Sequence, residues 1–134
     1  MRRNLLDTGI AADFIYRRGN AYSRAKAAQL QGGRIGIGLP TAGELLGGAE
    51  FSNTRNRNLP AIQRGIADFF LWPLDRAAAE EYGRLYAILR RSGRIIQQID
   101  MQLAAIALSL GNCTVVTKDS DFAAIPGLKI EDWS

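Results

Sequence analysis

The sequence predicts an α/β fold with a short central parallel sheet of four to five strands and helices on both faces. Short β-branched or leucine-rich runs alternate with longer segments in which apolar residues recur every three or four positions. This alternation favours βαβ units, which place helices on both sides of a parallel sheet. The 134 residues are 47% hydrophobic, which fits one domain spanning residues 1–134.

Five elements are predicted in the first 50 residues. They are a strand at 4–6, helices at 8–18 and 21–31, a strand at 34–37 and a helix at 41–50. Gly19 and Asn20 separate the first two helices, and Gly32 with Gly33 ends the second. The glycine-rich run at 33–38 matches neither the dinucleotide fingerprint nor a P-loop, and it indicates tight backbone packing.

The remaining residues predict three longer helices and two or three short strands. They are a helix at 59–70, a strand candidate at 71–74, a helix at 75–91, a helix near 99–110, a strand at 114–117, a helical turn at 120–124 and a strand at 128–130. Pro73 weakens the candidate at 71–74, because proline cannot donate to a sheet ladder. Asp100 lies in the first turn of its helix.

The composition excludes several classes of chemistry. The chain has no histidine, so Ser-His-Asp, Cys-His and histidine acid-base mechanisms are closed. The single Cys113 can form neither an internal disulfide nor a thiolate metal site. No apolar run approaches the ~20 residues that span a bilayer, and acidic residues interrupt any signal peptide, so a soluble cytoplasmic protein is expected. A net charge of +4, mostly from arginine, is a weak indication of a nucleic-acid partner.

Four acidic residues far apart in sequence are the candidate site: Asp7, Glu44, Asp100 and Asp119. Each also has a structural explanation, since Glu44 fits a capping box with Thr41 and the aspartates can cap helices or fix turns. In a parallel sheet, however, Asp7, Asp119 and the start of the helix at Asp100 converge on one edge. Crowded carboxylates repel one another unless a cation neutralises them. Oxygen-only ligands select Mg²⁺ or Mn²⁺, which suits phosphoryl chemistry.

The surroundings of these acids resemble the PIN-domain ribonucleases, and within them the VapC toxins of bacterial and archaeal type II toxin-antitoxin systems. The likeness spans nearly the whole chain. It is carried by Leu5-Leu6-Asp7-Thr8, by Glu44-Leu45-Leu46-Gly47-Gly48, by Gly93 followed by Asp100 and Ile106-Ala107, by Val115-Val116-Thr117 with Asp119, Asp121 and Phe122, and by Pro126-Gly127-Leu128 and Trp133. Gly9 departs from the pattern, because many relatives carry asparagine or serine there.

The resemblance implies a PIN-like three-layer fold and a metal-dependent endoribonuclease. It implies that Asp7 and Asp100 bind Mg²⁺ or Mn²⁺ directly, with Glu44 and Asp119 completing the pocket. Asp121 is an alternative fourth acid. Metal-activated water would attack the phosphodiester in line and leave a 5′-phosphate and a 3′-hydroxyl. Thr8 and Thr117 are candidates for orienting water or phosphate.

The resemblance also implies partners: an RNA substrate, a small cognate antitoxin and a second copy in a homodimer. Residues that could line the RNA backbone path are Arg17, Arg18, Arg90, Arg91, Arg94 and Lys118. Candidates for antitoxin contact are Phe14, Tyr16 and the apolar residues within 45–51.

Two alternatives remain open from the sequence. One keeps the chemistry but assigns the nuclease to RNA processing without an antitoxin. The other is a non-catalytic, receiver-like binding module with Lys118 beside an acidic pocket. A receiver would carry paired acids after its first strand, and this chain has only Asp7 there.

Overall fold

A five-stranded, fully parallel sheet forms the centre of the computed structural model, which describes all 134 residues. The strands are β1 (Arg3–Leu6), β2 (Arg34–Gly38), β3 (Phe70–Trp72), β4 (Cys113–Val116) and β5 (Lys129–Glu131). Their spatial order is β3-β2-β1-β4-β5, and every neighbouring pair is parallel. The predicted parallel sheet is therefore confirmed, at the upper end of the expected strand number.

Helices cover both faces of this sheet, as predicted. They are α1 (Thr8–Tyr16), α2 (Ala21–Leu30), α3 (Leu39–Phe51), α4 (Arg55–Ala67), α5 (Arg76–Arg91) and α6 (Gln98–Leu110), followed by a 3₁₀ helix at Ser120–Ala124. No helix combines the length and apolar character needed to cross a bilayer.

Each face of the sheet has its own hydrophobic core. Side chains alternate along a strand, so Leu6 and Val116 pack with α1 to α4, whereas Leu5 and Val115 pack with α5 and α6. All four are 0% exposed. The adjacent strands β1 and β4 are thus buried on both faces, and their continuous apolar runs reflect this position.

Glycines in β2 allow the core formed with α5 and α6 to pack closely against the sheet. A Cβ atom on Gly36 would lie 2.6 Å from the Phe70 carbonyl oxygen and 2.7 Å from the Trp72 ring. On Gly38 it would lie 2.9 Å from a Leu103 methyl group of α6. The expectation that the glycine-rich run serves tight packing is confirmed, and the run positions α6 over the sheet.

Several predicted boundaries of the helices were wrong. The first helix ends at Tyr16 rather than residue 18, because Arg17 adopts a left-handed conformation with φ of 57°. The third begins at Leu39 with Gly38 as its N-cap, two residues before the predicted start. The fourth runs over Arg55–Ala67 rather than 59–70, with Pro60 inside it.

The boundary error at α4 also affected the next strand. β3 is Phe70–Trp72 rather than 71–74. Pro73 directly follows the strand, where the missing N–H removes no ladder bond. Phe70 belongs to the strand because it pairs with Gly36 of β2. Local periodicity does not reveal this long-range contact.

The strand order contradicts the receiver-like alternative. Receiver folds have the order 2-1-3-4-5, in which the second strand lies at an edge of the sheet. Here β2 lies between β3 and β1, so β3 forms the edge.

Candidate functional site

The site lies at the carboxyl ends of the two central strands. The chain builds the sheet outward from β1 through β2 to β3, then returns to place β4 on the other side of β1. The boundary between β1 and β4 is therefore the topological switch point, where open α/β sheets bind ligands. Leu6 pairs with Val116 in register, and the next residues, Asp7 and Thr117, lie side by side.

Asp7 is held by hydrogen bonds to both carboxylate oxygens. Its Oδ1 accepts from the backbone N–H of Ile10 at 2.9 Å and so caps α1, as predicted. Its Oδ2 accepts from the Thr117 hydroxyl at 2.5 Å. Burial raises the pKa of Asp7 and the charge of Asp119 adds to the effect, while these hydrogen bonds and nearby Lys118 oppose it. The result is a fixed, half-buried carboxylate.

Glu44 joins the site from α3 through a threonine of α1. The Thr8 hydroxyl donates to Glu44 Oε1 at 2.5 Å and lies 3.4 Å from the hydroxyl oxygen of Thr41. The capping-box interpretation is wrong, because Thr41 is a 0% exposed residue inside the helix and no side chain caps its N-terminus. Glu44 thus faces a neighbouring helix rather than its own first turn.

The charges of four other acids act on the carboxylate of Asp100. It is half-buried in the first turn of α6. Burial raises its pKa to about 6, and the charges of Asp119, Asp7, Glu44 and Asp121 raise it in decreasing order. Acids from three other segments, namely the N-cap of α1, helix α3 and the residues after β4, are therefore close enough to repel the Asp100 carboxylate.

Asp119 and Asp121 have different positions in the segment after β4. The backbone N–H of Asp119 donates to the Thr117 hydroxyl oxygen at 2.9 Å, which links it to Asp7. Asp119 Oδ1 accepts from the N–H of Asp121 at 2.9 Å and caps the 3₁₀ helix. Of the two, Asp119 affects the pKa of Asp100 more strongly. Asp121 precedes Phe122, a fully buried anchor of this turn.

The donor set fits a hard divalent cation with an open coordination shell. All the converging groups are carboxylate oxygens, and the chain has no histidine. No three of its acidic or sulfur side chains are close enough to enclose a metal ion by themselves. Mg²⁺ keeps several waters and is usually held by one or two carboxylates, so a site that does not enclose the ion is compatible with Mg²⁺.

The predicted basic residues near α1 are already engaged with protein groups. Asp13 pairs with Lys118 at 3.2 Å and with Arg18 at 3.3 Å. The Arg17 guanidinium lies 3.6 Å from the centre of the Tyr22 ring and donates to a backbone carbonyl. That Asp13 pairs with two of these cations could not be predicted from local sequence, because Lys118 is 105 residues away.

The basic residues at the end of α5 and just after it are exposed, and one of them lies over an aromatic ring. Arg90 lies 4.7 Å over the ring of Tyr86, and Arg91 ends the helix. Arg94 follows in the loop before α6. Tyr86 was not singled out from the sequence, although it lies four residues before Arg90 and therefore on the same side of the helix.

Three of the predicted partner-contact residues are largely buried, and all three pack in the core beneath α1 to α4. Phe14 is 1% exposed and is not available to a partner, so that part of the prediction was wrong. Leu45 and Ala49 are 7% and 5% exposed and line a surface cavity together with Tyr16. Tyr16 and Phe51 do reach the surface, at 41% and 93% exposure.

Comparison with known proteins agrees with this geometry. The PIN domain matches residues 5–128. The tRNA(fMet)-specific endonuclease VapC of Shigella flexneri is 33% identical over 134 residues, covering 100% of both chains. The chain belongs to the VapC family of PIN-domain proteins. Ribonuclease VapC2 of Haemophilus influenzae is 28% identical over 133 residues and covers 99% of each chain.

Solved structures of VapC-family complexes have the same fold. The DNA-bound VapBC of Salmonella typhimurium superimposes with a TM-score of 0.90 at 32% identity, covering 100% of both chains. VapBC2 of Rickettsia felis, bound to a promoter DNA fragment, also gives a TM-score of 0.90, over 98% of this chain and 99% of that one. At 24% identity the second likeness shows the fold alone.

Proposed function

We propose that this chain is a Mg²⁺- or Mn²⁺-dependent endoribonuclease and the toxin of a type II toxin-antitoxin pair. The observation that carries the proposal is that Asp7, Glu44 and Asp119, from three separate segments, lie close enough to Asp100 to raise its pKa, while Thr117 links Asp7 to Asp119 by hydrogen bonds. Its family membership supports it, as do the names of its relatives, an endonuclease and a ribonuclease.

Within this proposal, Asp7 and Asp100 hold the cation directly. Thr117 and the N–H of Ile10 fix the Asp7 carboxylate and leave its remaining lone pairs for an external partner. Glu44, oriented by Thr8, and Asp119, tied to Thr117, complete the acidic rim. When bound, a divalent cation supplies positive charge for the phosphate oxygens and lowers the pKa of a water.

The reaction we propose is hydrolysis of an RNA phosphodiester with the attacking and leaving oxygens in line. It leaves a 5′-phosphate and a 3′-hydroxyl. The ribose 2′-hydroxyl takes no part, because water is the nucleophile. End-group analysis of the products checks this point directly, since a 2′,3′-cyclic phosphate would show that the 2′-hydroxyl had attacked instead.

Cleavage assays test the metal-carboxylate mechanism. A labelled pool of structured RNAs is incubated with Mg²⁺ or Mn²⁺ and the wild type, Asp7→Asn or Asp100→Asn. Both substitutions keep the side-chain shape but remove a charged ligand. We expect each to reduce the cleavage rate by more than about 100-fold. This loss exceeds that typical of residues that only hydrogen-bond to a metal ligand.

Two controls make the assay decisive. Asp68→Asn removes an exposed carboxylate at the end of α4 and should leave the rate unchanged. A chelator should abolish wild-type cleavage. Equal cleavage by all samples would reveal a contaminant, and chelator-resistant cleavage that depends on Asp100 would rule out the metal mechanism.

The proposed antitoxin is a small protein encoded beside this chain. The support comes from related structures, which include toxin-antitoxin complexes. Tyr16, which is 41% exposed, lines a cavity that also contains Glu44, so a partner bound there would lie beside the acids.

Replacing Tyr16 tests this surface. We expect Tyr16→Ala to weaken binding of the protein encoded immediately upstream by at least about tenfold, the loss typical of a buried aromatic anchor. Ribonuclease activity without the antitoxin should persist. Affinity is measured by calorimetry, and Leu30→Ala, which alters a 90% exposed residue of α2, is the control. Absence of any binding to the wild type would favour a nuclease without an antitoxin.

A further inference from the structure

An aromatic and basic stripe runs along one side of α5. Tyr82, Tyr86 and Arg90 follow one another at four-residue intervals, which places them on the same side of the helix. The two tyrosine rings are stacked, with centroids 6.4 Å apart and an interplanar angle of 28°. The Arg90 guanidinium lies 4.7 Å over the Tyr86 ring, and Tyr86 is 44% exposed.

Two adjoining cavities connect this stripe to the acidic site. The first, of about 330 Å³, is lined by the tyrosines, Arg90 and the loop residues 94–96. The second, of about 450 Å³, is lined by the same loop residues and by Asp121. Both lie near the lower end of the range for ligand pockets, roughly 300–1,000 Å³. The backbone N–H of Asp121 donates to Asp119 Oδ1 at 2.9 Å, so this surface reaches the acids after β4.

The charges of this surface favour a polyanion over an apolar protein segment. Arg90 and Arg94 form no ion pair within the protein, whereas Arg18, Arg55 and Arg84 each pair with an acid. Unpaired guanidinium groups beside exposed rings match a nucleic-acid strand, because the phosphates take the cations and the bases take the ring faces.

We propose that the surface from Asp121 across residues 94–96 to Tyr86 and Tyr82 binds unpaired RNA bases on one side of the scissile phosphate. This inference rests on the proposed ribonuclease function. Bases stack on the tyrosines, while Arg90 and Arg94 contact the adjacent phosphates. Ile95 is 93% exposed and lines both cavities, so it contacts the base that passes between them. A base inside a duplex is stacked on its neighbours and cannot use this subsite.

The test measures binding without cleavage. A fluorescently labelled single-stranded RNA oligonucleotide is titrated with the full chain in the presence of a chelator, and affinity is read from fluorescence anisotropy. We expect Tyr86→Ala to weaken binding by at least about fivefold, the low end of the range for loss of one stacked base. Tyr86→Phe keeps the ring and should remain within about twofold of the wild type.

Arginine variants separate stacking from charge. Arg90→Gln should reduce the slope of log affinity against log salt by about 0.7, the value for one phosphate of a single strand. Arg76→Gln, at the exposed start of the same helix, is the matched control and should leave that slope unchanged. Phe51→Ala is the control for loss of an exposed aromatic residue.

Three outcomes would overturn the subsite. Equal affinities of the Tyr86→Ala, Phe51→Ala and wild-type chains would remove the stacking role. Equal binding of a duplex of the same sequence would contradict recognition of unpaired bases. A changed molar mass of Tyr86→Ala by light scattering, with unchanged RNA affinity, would assign the stripe to protein contact. Because no cleavage is needed, failure here is distinct from failure of the nuclease mechanism.

Discussion

Single residues at the carboxyl edge combine structural and chemical roles. Asp7 caps α1 through one oxygen and receives the Thr117 hydroxyl on the other, yet burial still raises its pKa. Asp100 has a pKa of about 6 because burial and four neighbouring acids disfavour its charge. Clustered carboxylates lower the free energy of unfolding of the metal-free protein. Such a loss of stability is expected at functional sites.

Stability measurements at two pH values test this cost at Asp100. Its folded pKa of about 6 exceeds the ordinary value of 3.8, so the folded state binds the proton more tightly. The free-energy cost of the charged Asp100 is therefore absent below about pH 3 and grows as pH rises from the unfolded pKa toward the folded pKa. With a chelator present, we expect Asp100→Asn to be more stable than the wild type above about pH 7. The side chain is partly exposed, so screening limits the gain to about 1 kcal/mol.

Thermal unfolding followed by circular dichroism provides the comparison. The difference in Tm between Asp100→Asn and the wild type should vanish below about pH 3, where the carboxyl is protonated in both the folded and the unfolded state. Added Mg²⁺ should raise the Tm of the wild type and leave that of the variant nearly unchanged. A variant less stable than the wild type at neutral pH would show that the charge of Asp100 stabilises the fold.

At the level of elements, the packing of α6 on β2 sets the position of the acids. Gly38 ends the strand, caps α3 and lies beneath Leu103 of α6. Gly36 lets the edge strand and the Trp72 ring approach on the same face. Since α3 carries Glu44 and α6 carries Asp100, the small residues of β2 influence the distance between those carboxylates.

Gly36→Ala tests this packing. Its Cβ would meet a backbone carbonyl oxygen at 2.6 Å, which cannot move aside as a flexible side chain would. We expect a loss of about 1–3 kcal/mol in the free energy of unfolding, as for overpacked cores. Gly83→Ala in α5 meets nothing within 4 Å and should stabilise slightly, by up to about 1 kcal/mol. Chemical denaturation checks both, and equal effects would contradict the argument.

For the whole molecule, the sheet has an exposed apolar edge. β3 is one of the two edge strands, and its Phe70 and Leu71 are 49% and 44% exposed. The flanking residues Leu39 and Leu74 are 46% and 38% exposed. Edge strands of this kind are usually protected or paired, so this edge is a candidate contact for the expected homodimer.

Light scattering tests the assembly. We expect the wild type to have the mass of a dimer and Leu71→Lys to be a monomer, because lysine places a charge at the edge. Leu30→Lys alters a 90% exposed residue of α2 and should stay dimeric. A monomeric wild type would contradict the homodimer, and a dimeric Leu71→Lys variant would place the contact elsewhere.

The fold class and the candidate acids could both be predicted from the amino-acid sequence. Buried strands and amphipathic helices have distinct local periods, so their alternation predicts a parallel sheet without knowledge of long-range contacts. Element ends were less accurate, because Leu39 and Arg55 begin helices where no side chain caps the N-terminus. Asp7 was predicted as a cap because its partner, Ile10, is only three residues away.

Which side chains of the site contact one another depends on the three-dimensional packing of the chain. Glu44 bonds Thr8, 36 residues away, rather than the nearby Thr41 that the local pattern favoured. Thr117 reaches Asp7 across 110 residues because β1 and β4 are adjacent in register. Strand order and register arise from packing of the whole chain, and no local spacing encodes them. The sequence therefore supplied the carboxylates, while the sheet determined their neighbours, orientation and shared charge.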